Sequence, residues 1–571
     1  MTEQVAEEGS KSPGLSSPAA VGLGLLHSVL MVLAFPPLGF WGAALAAVLP
    51  AALAARSAGR RPKRTSLWFG LGAMAFWGLT HRWAFDVSAA GGVPLLVYLA
   101  LTTSLGVWLM AFLARGRLPL PLAAGLGWTA AEVVRGEIVW DGYPWYLVGH
   151  PLIDASLLGA AGAVIGAYGV SFLVSSAAGA VGEAMLGSVA RARVAGAVVA
   201  AVWIGCGLLG MPRADAEVPT LRVGLVTTNV PQSVRGGWPP VERVRTLVEL
   251  HAATRELAMQ GAKLIVWPET MFPGVGLQPE VNVVFGGVLG FPLEVTETAE
   301  VASMLDGSGI EAVLDVGPGG RGLVDIAAIE AVTAELIRDL DTPVLIGSPA
   351  FEGFRLTDNG TDWTTRYNSA FIYGAGSQPR YDKVRLTPFG EVMPYISAWP
   401  WLERQLLAIG AQGMSFDLGV GKRFDGFRVL TSEGEIRVVT PICFEATMSG
   451  HVRRLVSATD RRADLIAQLT NDGWFMDVDV GRLTHQLCAR WRALETGTPL
   501  VRAANTGPSA AVDAGGRVVQ AGAVRESGTV LADVPMWTRS TLYLAGGWWF
   551  RWLCLLGAVV GCLLPRRSPP G

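Results

Sequence analysis

Three residues in this sequence have side chains whose types and settings could do chemistry together. Glu269 closes the apolar run LIVWPE, Lys383 lies in YDKVRLTPFGE and Cys443 lies in TPICFEA. Taken singly, such residues are more often an ion pair, a solvated charge or a small buried hydrophobe. Together they supply a carboxylate, an ammonium and a nucleophile, the set needed to cleave an acyl group from an ester or amide. The thiolate is the attacking species, so its proton must leave; Glu269 can accept it as general base, and a nearby cation lowers the thiol pKa. Lys383 supplies that charge, first to the thiolate and then to the tetrahedral oxyanion. The backbone N–H of Phe444, just past the nucleophile, is a second oxyanion donor. Rival chemistries have less support. The six His are scattered, only His451 and His485 follow Cys443 within fifty residues, and no C-x-x-C or H-E-x-x-H occurs. No metal and no cofactor is expected.

The three stand at or near the ends of predicted strands. β-rich runs at 221–230, 263–269, 343–349, 366–373, 436–445, 465–472, 499–507 and 509–519 alternate with helical patterns near 240–260, 328–340 and 481–496. Such alternation predicts a layered α/β domain. The segment 274–322 fits neither pattern, and its Gly-rich piece 283–295 reads as a core hairpin or, slightly preferred, a lid that touches lipid.

The rest of the chain is of another kind. Of 571 residues, 51% are hydrophobic and 16% charged, and 71 are Gly; soluble domains carry about 25% charged residues. The scarcity is local, with 17 charged residues among the 195 from Pro18 to Pro212 and 71 among the 359 from Arg213 to Gly571. Crossing a bilayer takes about 20 mostly apolar residues, and stretches near 19–36, 38–55, 66–85, 92–114, 118–135, 157–180, 193–211 and 541–564 qualify. Four segments are therefore predicted: a disordered start (1–17), transmembrane helices one to seven (18–212), a soluble domain (213–539, with 274–322 as insertion or lid) and an eighth helix with a tail (540–571).

Lys and Arg concentrate in cytoplasmic loops. Arg56, Arg60, Arg61, Lys63 and Arg64, then Arg115 and Arg117, then Arg191 and Arg193, and finally Arg566 and Arg567 mark every second loop. Both termini are thus expected in the cytoplasm and the soluble domain outside it, with the first span a retained anchor and not a cleaved signal. Cys206, Cys554 and Cys562 fall in spans, leaving Cys443 and Cys488 exported and expected free. A net charge of −2 gives no basic field for nucleic acid. The aromatics Trp140, Tyr143, Trp145 and Tyr146 suit a headgroup-level belt, and Glu132 with Arg135, three apart, suits an ion pair or a headgroup contact.

The motifs WPE, YDKVRLTPFGE, CFE, NDGWF (471–475) and RALETGTPLVRAANTG (492–507) resemble those of the nitrilase superfamily. Spans before the domain, one after it, and the spacer 128–150 make the layout similar to the bacterial apolipoprotein N-acyltransferase family, over nearly the whole chain except 1–17 and 274–322. The resemblance implies a membrane α-helical bundle of about eight helices joined to an extracytoplasmic αββα sandwich. It assigns Glu269 as base, Lys383 as stabiliser of thiolate and oxyanion, and Cys443 as nucleophile. It also brings in Glu391 and Glu445, read as groups that fix Lys383, and Trp238 beside the acyl site, against the plainer reading of a surface Trp. The sequence departs from the family in TTNVPQ (227–232), which lacks the usual opening Gln. Phe444 stands where Tyr is common, and 114 residues separate Glu269 from Lys383, more than the family pattern.

The implied reaction is ping-pong transfer, in a bacterial cytoplasmic (inner) membrane, of an acyl chain from a phospholipid through a Cys443 thioester. The acceptor is the α-amine of the diacylglyceryl-cysteine that begins an apolipoprotein. The bilayer, a phospholipid and the lipoprotein are the expected partners. Two alternatives remain: a membrane-tethered nitrilase-like amidase using water, for which one anchor would suffice, and a lipid-binding scaffold, which an intact triad disfavours.

Overall fold

The structure is a computed structural model and describes residues 14–116, 118–212, 218–231, 238–278, 281, 290–357, 360–374, 380–392, 401, 418–458 and 461–564. The chain divides into two compact units, Met1–Pro212 with Thr541–Gly571, and Arg213–Ser540. None of the five cysteines, all among the described residues, is in a disulfide.

The first unit is helical, with principal helices Ser17–Ala34, Leu49–Ser57, Pro62–Thr80, Ala89–Gly116, Leu120–Val133, Gly162–Leu186, Val189–Gly210 and Phe550–Leu563. Among the described residues, four helical stretches are long and apolar enough to cross a membrane: 17–34, 91–115, 162–186 and 189–210. The other predicted spans are shorter or less apolar; that at 38–55 is divided between Gly42–Ala47 and Leu49–Ser57. Large apolar side chains face outward, including Val194, Val198 and Leu209 on one helix and Leu25 and Val29 on another. Such surface is stable against lipid and not against water, so the chain is a membrane protein. Small residues let the helices approach. A Cβ on Gly24 would lie 2.2 Å from the Phe69 carbonyl oxygen, and one on Gly72 2.3 Å from that of Val21.

Two expectations for this unit change. Trp145 and Tyr146 are buried within the bundle, where Tyr146 packs edge-on against Phe76 and Trp77, so they do not form a surface belt. Glu132 accepts from Trp128 Nε1 at 3.1 Å and Val148 N at 2.8 Å, while Arg135 donates to the carbonyls of Trp145 at 2.7 Å and Tyr146 at 3.4 Å. Each side chain thus satisfies non-helical backbone that enters the bundle.

The second unit is built on two six-stranded sheets. One runs Tyr381–Asp382, Thr365–Tyr373, Val344–Glu352, Leu264–Val266, Thr220–Thr227, Gly528–Pro535; the other runs Phe427–Thr431, Gly434–Val439, Leu465–Thr470, Leu500–Ala504, Ala510–Val512, Val518–Ala521. The three central strands of each are parallel and the outer pairings antiparallel. Central strands covered on both faces need continuous apolar runs, which is what LIV (264–266) and VLI (344–346) provide. Leu225, Val266 and Leu345 of one sheet share a buried core with Val439, Leu469 and Val501 of the other. Ile265, Val344 and Ile346 turn to the opposite face, against Leu247 and Leu250 of helix Pro240–Met259 and Ile329 of helix Ile326–Leu340.

The segment 274–322 is in large part folded. Gly290–Leu293, Leu314–Val316 and Gly322–Asp325 form an antiparallel sheet. Helix Val295–Leu305 starts with a reciprocal Glu294/Glu297 capping box and buries Val301 and Leu305 in the core. Residues 282–289, most of the proposed lid, and 1–13 of the predicted disordered start lie outside the described residues.

Candidate active site

In sheets with parallel central strands, reactive side chains collect beyond the strands' carboxyl ends. Glu269 follows Leu264–Val266, Asn471 follows Leu465–Thr470, and Cys443 follows Gly434–Val439. The last strand stops because Pro441 has no N–H to donate and Cys443 opens a 3₁₀ turn, Cys443–Thr447, at φ +50°. That conformation is disfavoured for any side chain but Gly and costs about 1–3 kcal/mol, so the surroundings must hold it. Lys383 leaves the edge strand Tyr381–Asp382, with its N–H on the Asn368 carbonyl at 2.8 Å.

Glu269, Lys383 and Glu391 are brought together. The Lys383 ammonium, 1% exposed, lies 2.8 Å from Glu391 Oε2 and 3.5 Å from Glu269 Oε1. Asn368 Nδ2 bridges the two carboxylates, at 2.7 Å from Glu269 Oε1 and 3.1 Å from Glu391 Oε1. The second oxygen of Glu269 accepts from Asn471 N at 2.7 Å, and that of Glu391 from Thr387 N at 2.7 Å. Burial alone would lower the Lys383 pKa; Glu391 first, then Glu269, outweigh it and hold the ammonium above its ordinary value. Burial likewise pushes Glu391 up, and Lys383 outweighs it, so that carboxyl sits below its usual range. Glu391 therefore lies closer to the Lys383 ammonium than Glu269 does.

Burial raises the Cys443 thiol and the charge of Glu269 adds to that, while Lys383 and a Thr470 hydrogen bond only partly offset them. Lys383 acts in the direction expected from the sequence, but desolvation outweighs it and the Cys443 thiol is held above its ordinary value. Phe444, the second residue of the turn, is buried.

Glu445 does not touch the Lys383 side chain. It accepts from the backbone N–H of Ile442 at 2.8 Å, Val384 at 2.7 Å and Arg385 at 2.9 Å, and from Tyr381 OH at 2.9 Å, with His451 Nε2 at 3.1 Å. One buried carboxylate thus ties the Cys443 turn to the backbone that carries Lys383. Burial opposes its ionisation, and His451 with the backbone donors outweighs burial, so its pKa lies below the usual value.

Trp238 is 3% exposed, which removes the surface reading. It sits just before helix Pro240–Met259, its ring 4.8 Å from the Arg243 guanidinium, whose Nε donates to the Trp238 carbonyl at 3.0 Å. Asn368, Asn471 and Thr387 were not singled out from the sequence. Asn368 lies inside the strand pattern RYNSAFIY and Asn471 opens NDGWF, and neither residue type by itself signals chemistry there.

The carbon-nitrogen hydrolase family matches residues 231–541, and the apolipoprotein N-acyltransferase N-terminal domain matches 27–180. Similar relatives named apolipoprotein N-acyltransferase come from Ralstonia nicotianae (29% identity, 92% of this chain and 87% of that one) and Geobacter metallireducens (26%, 96% and 95%). One from Haemophilus ducreyi is 26% identical, over 90% of this chain and 91% of its own. Among solved structures, a variant of a Nesterenkonia AN1 amidase from the nitrilase superfamily matches 56% of this chain and 92% of its own, at 16% identity and a TM-score of 0.33. This chain belongs to the carbon-nitrogen hydrolase family, in the two-part layout of the apolipoprotein N-acyltransferases.

Proposed function

We propose that the protein moves an acyl chain from a phospholipid to the N-terminal amine of diacylglyceryl lipoproteins, with Glu269, Lys383 and Cys443 as catalytic groups. The observation that carries the reading is the buried cluster in which Glu391 and Asn368 hold Lys383 beside Glu269, at the strand end neighbouring a strained Cys443 turn. The names of the relatives supply the substrate class.

Because the resting group is a thiol, its proton leaves as attack proceeds, and Glu269 receives it. The Cys443 sulfur bonds to the ester carbonyl carbon of the phospholipid, and the oxyanion faces Lys383 and the Phe444 N–H. Collapse breaks the C–O bond; the lysophospholipid oxygen takes the proton from Glu269, leaving a thioester. The lipoprotein amine then attacks the thioester, Glu269 accepts the amine proton, and the C–S bond breaks to return the thiol. Glu445 holds the two loops in register throughout. Each substrate carries long chains, and every CH₂ moved from lipid to water costs about 0.8 kcal/mol, so both are met at the membrane surface. The basic loops support an inner-membrane protein with both termini cytoplasmic and the catalytic unit outside. The two-sheet core, with helices packed on it, supports the αββα reading of that unit.

The acceptor separates this reading from a water-using amidase. Acyl-enzyme formed on the full chain in lipid nanodiscs is expected to discharge at least about tenfold faster with a diacylated lipopeptide than without it, followed by intact mass. Equal discharge rates would refute the transferase reading.

A further inference from the structure

Behind the Cys443 turn lies a buried set of groups that the acyl-transfer steps above leave unused. The Cys443 carbonyl oxygen is 3.2 Å from Gln468 Nε2 and 3.1 Å from His485 Nε2. Asp472 Oδ1 and Arg502 Nη2 face the other ring nitrogen of His485, at 2.9 Å and 3.3 Å. Arg502 in turn binds Asp472 Oδ2 at 2.5 Å and the Pro508 carbonyl at 2.8 Å, and Thr470 donates to Asp472 Oδ1 at 3.0 Å. Gln468, Asp472, His485 and Arg502 are all within 1% of complete burial. They come from two neighbouring strands, the turn after one of them, and helix Asp479–Thr496. So deep a polar cluster is costly unless its hydrogen bonds are satisfied, and a satisfied one holds its groups in one rigid arrangement.

The use follows from the peptide plane. In a trans peptide the C=O of one residue and the N–H of the next point in opposite directions. Gln468 Nε2, which donates to the Cys443 carbonyl and lies 3.3 Å from His485 Nε2, and His485 Nε2 in the tautomer that carries its proton there, therefore turn the Phe444 N–H the other way, out of the 3₁₀ turn. A non-Gly residue at φ +50° is held there at a cost and with little freedom in ψ, so contacts from outside the turn must hold the plane in place.

We propose that His485, through Nε2 on the Cys443 carbonyl and together with Gln468, is a positioning residue that aims the Phe444 N–H at the oxyanion. Asp472 and Arg502 orient the imidazole. The inference rests on the proposed role of Cys443 as nucleophile.

The test compares His485→Asn, which retains a group at Nδ1 but loses the Nε2 donor, with His485→Gln, which places a donor near Nε2. Two reactions are read on the full chain in nanodiscs: acyl-enzyme formation from phospholipid, which passes through an oxyanion, and alkylation of Cys443 by iodoacetamide, which does not. Loss of an oxyanion donor costs about 10²–10³ in kcat. His485→Asn is expected to slow acylation by at least about tenfold at unchanged KM, with alkylation within about twofold of wild type and His485→Gln recovering most of the acylation rate. If His485→Asn does not melt cooperatively, Gln468→Leu removes the other donor to the same carbonyl and carries the same expectation. Unchanged acylation overturns the inference, as does a parallel fall in acylation and alkylation, or a Gln variant no better than Asn. A wild-type chain that forms no adduct at Cys443 would instead reject the nucleophile assignment itself.

Discussion

Cys443→Ser is expected to lower transfer from phospholipid to a diacylated lipopeptide by on the order of 10⁴-fold or more, the scale seen when a nucleophile that acts as part of a unit is removed. Oxygen for sulfur is a small change in volume, and the groups that hold the turn, Glu445, Gln468 and His485, bind its backbone. The thermal midpoint of the catalytic unit should stay within a few degrees of wild type. The loss is chemical. A serine hydroxyl is a far weaker acid than a thiol, so handing its proton to a carboxylate as attack proceeds is far more uphill. Steady-state transfer above about a tenth of wild type, in protein free of wild-type contamination, would contradict the role given to Cys443.

Lys383→Met should act on both catalysis and stability. The oxyanion loses its cation, and the loss in kcat is expected at about 10²–10³. The fold loses the only cation that the described contacts place between Glu269 and Glu391, whose charges then meet across the Asn368 amide. Removing one partner of a buried pair costs roughly 3–5 kcal/mol. The pH dependence has a definite sign. Lys383 is raised in the fold, so its contribution is complete below the unfolded lysine pKa of about 10.4 and is lost as pH rises through its higher folded value. Glu391 is depressed, so its contribution is complete above the unfolded value of about 4.3 and is lost as pH falls through its lower folded value. The difference in thermal midpoint between wild type and Lys383→Met should therefore be widest between those two pH values and narrow on the acid side, where Glu391 is neutralised. A difference independent of pH would show that Lys383 stabilises by packing of its stem and not by charge.

Much of this was legible in the sequence, for reasons that can be stated. The apolar runs at 221–227, 264–266, 344–349 and 465–470 sit in strands covered on both faces, and only continuous hydrophobicity satisfies such positions. The run 509–519 reads as one strand but forms two, because Asp513 accepts from Gly515 N and Arg517 N and closes a turn inside it. The strand Phe427–Thr431 was not predicted. Its alternation of buried Phe427 and Val429 with exposed Arg428 and Leu430 belongs to an edge, where one apolar residue in two is enough. The segment 274–322 fits neither pattern for a similar reason: Gly290–Leu293 is too short for a period to show, and it becomes a strand only by pairing with Gly322–Asp325.

The site divides along the same line. Glu269, Lys383 and Cys443 are conspicuous as residue types, and their motifs are long. What holds them is not conspicuous. Asn368 bridges two carboxylates from within a strand, Asn471 contributes a backbone N–H, and Glu445 acts on the backbone around Lys383. Such contacts depend on which chain segments meet in space, and no spacing within one segment encodes them. Tertiary burial also decided the thiol, since a neighbouring cation is visible in sequence but desolvation is not.

The central claim is that Cys443 carries the acyl chain. Incubating the full chain with a phospholipid of defined acyl composition, without acceptor, and recording intact mass with peptide mapping tests it most directly. The expected result is a gain of one acyl group, located on Cys443, reversed by a diacylated lipopeptide and absent from Cys443→Ser. Transfer to the lipopeptide by an enzyme that never shows that adduct, or that shows it on another residue, would contradict the account.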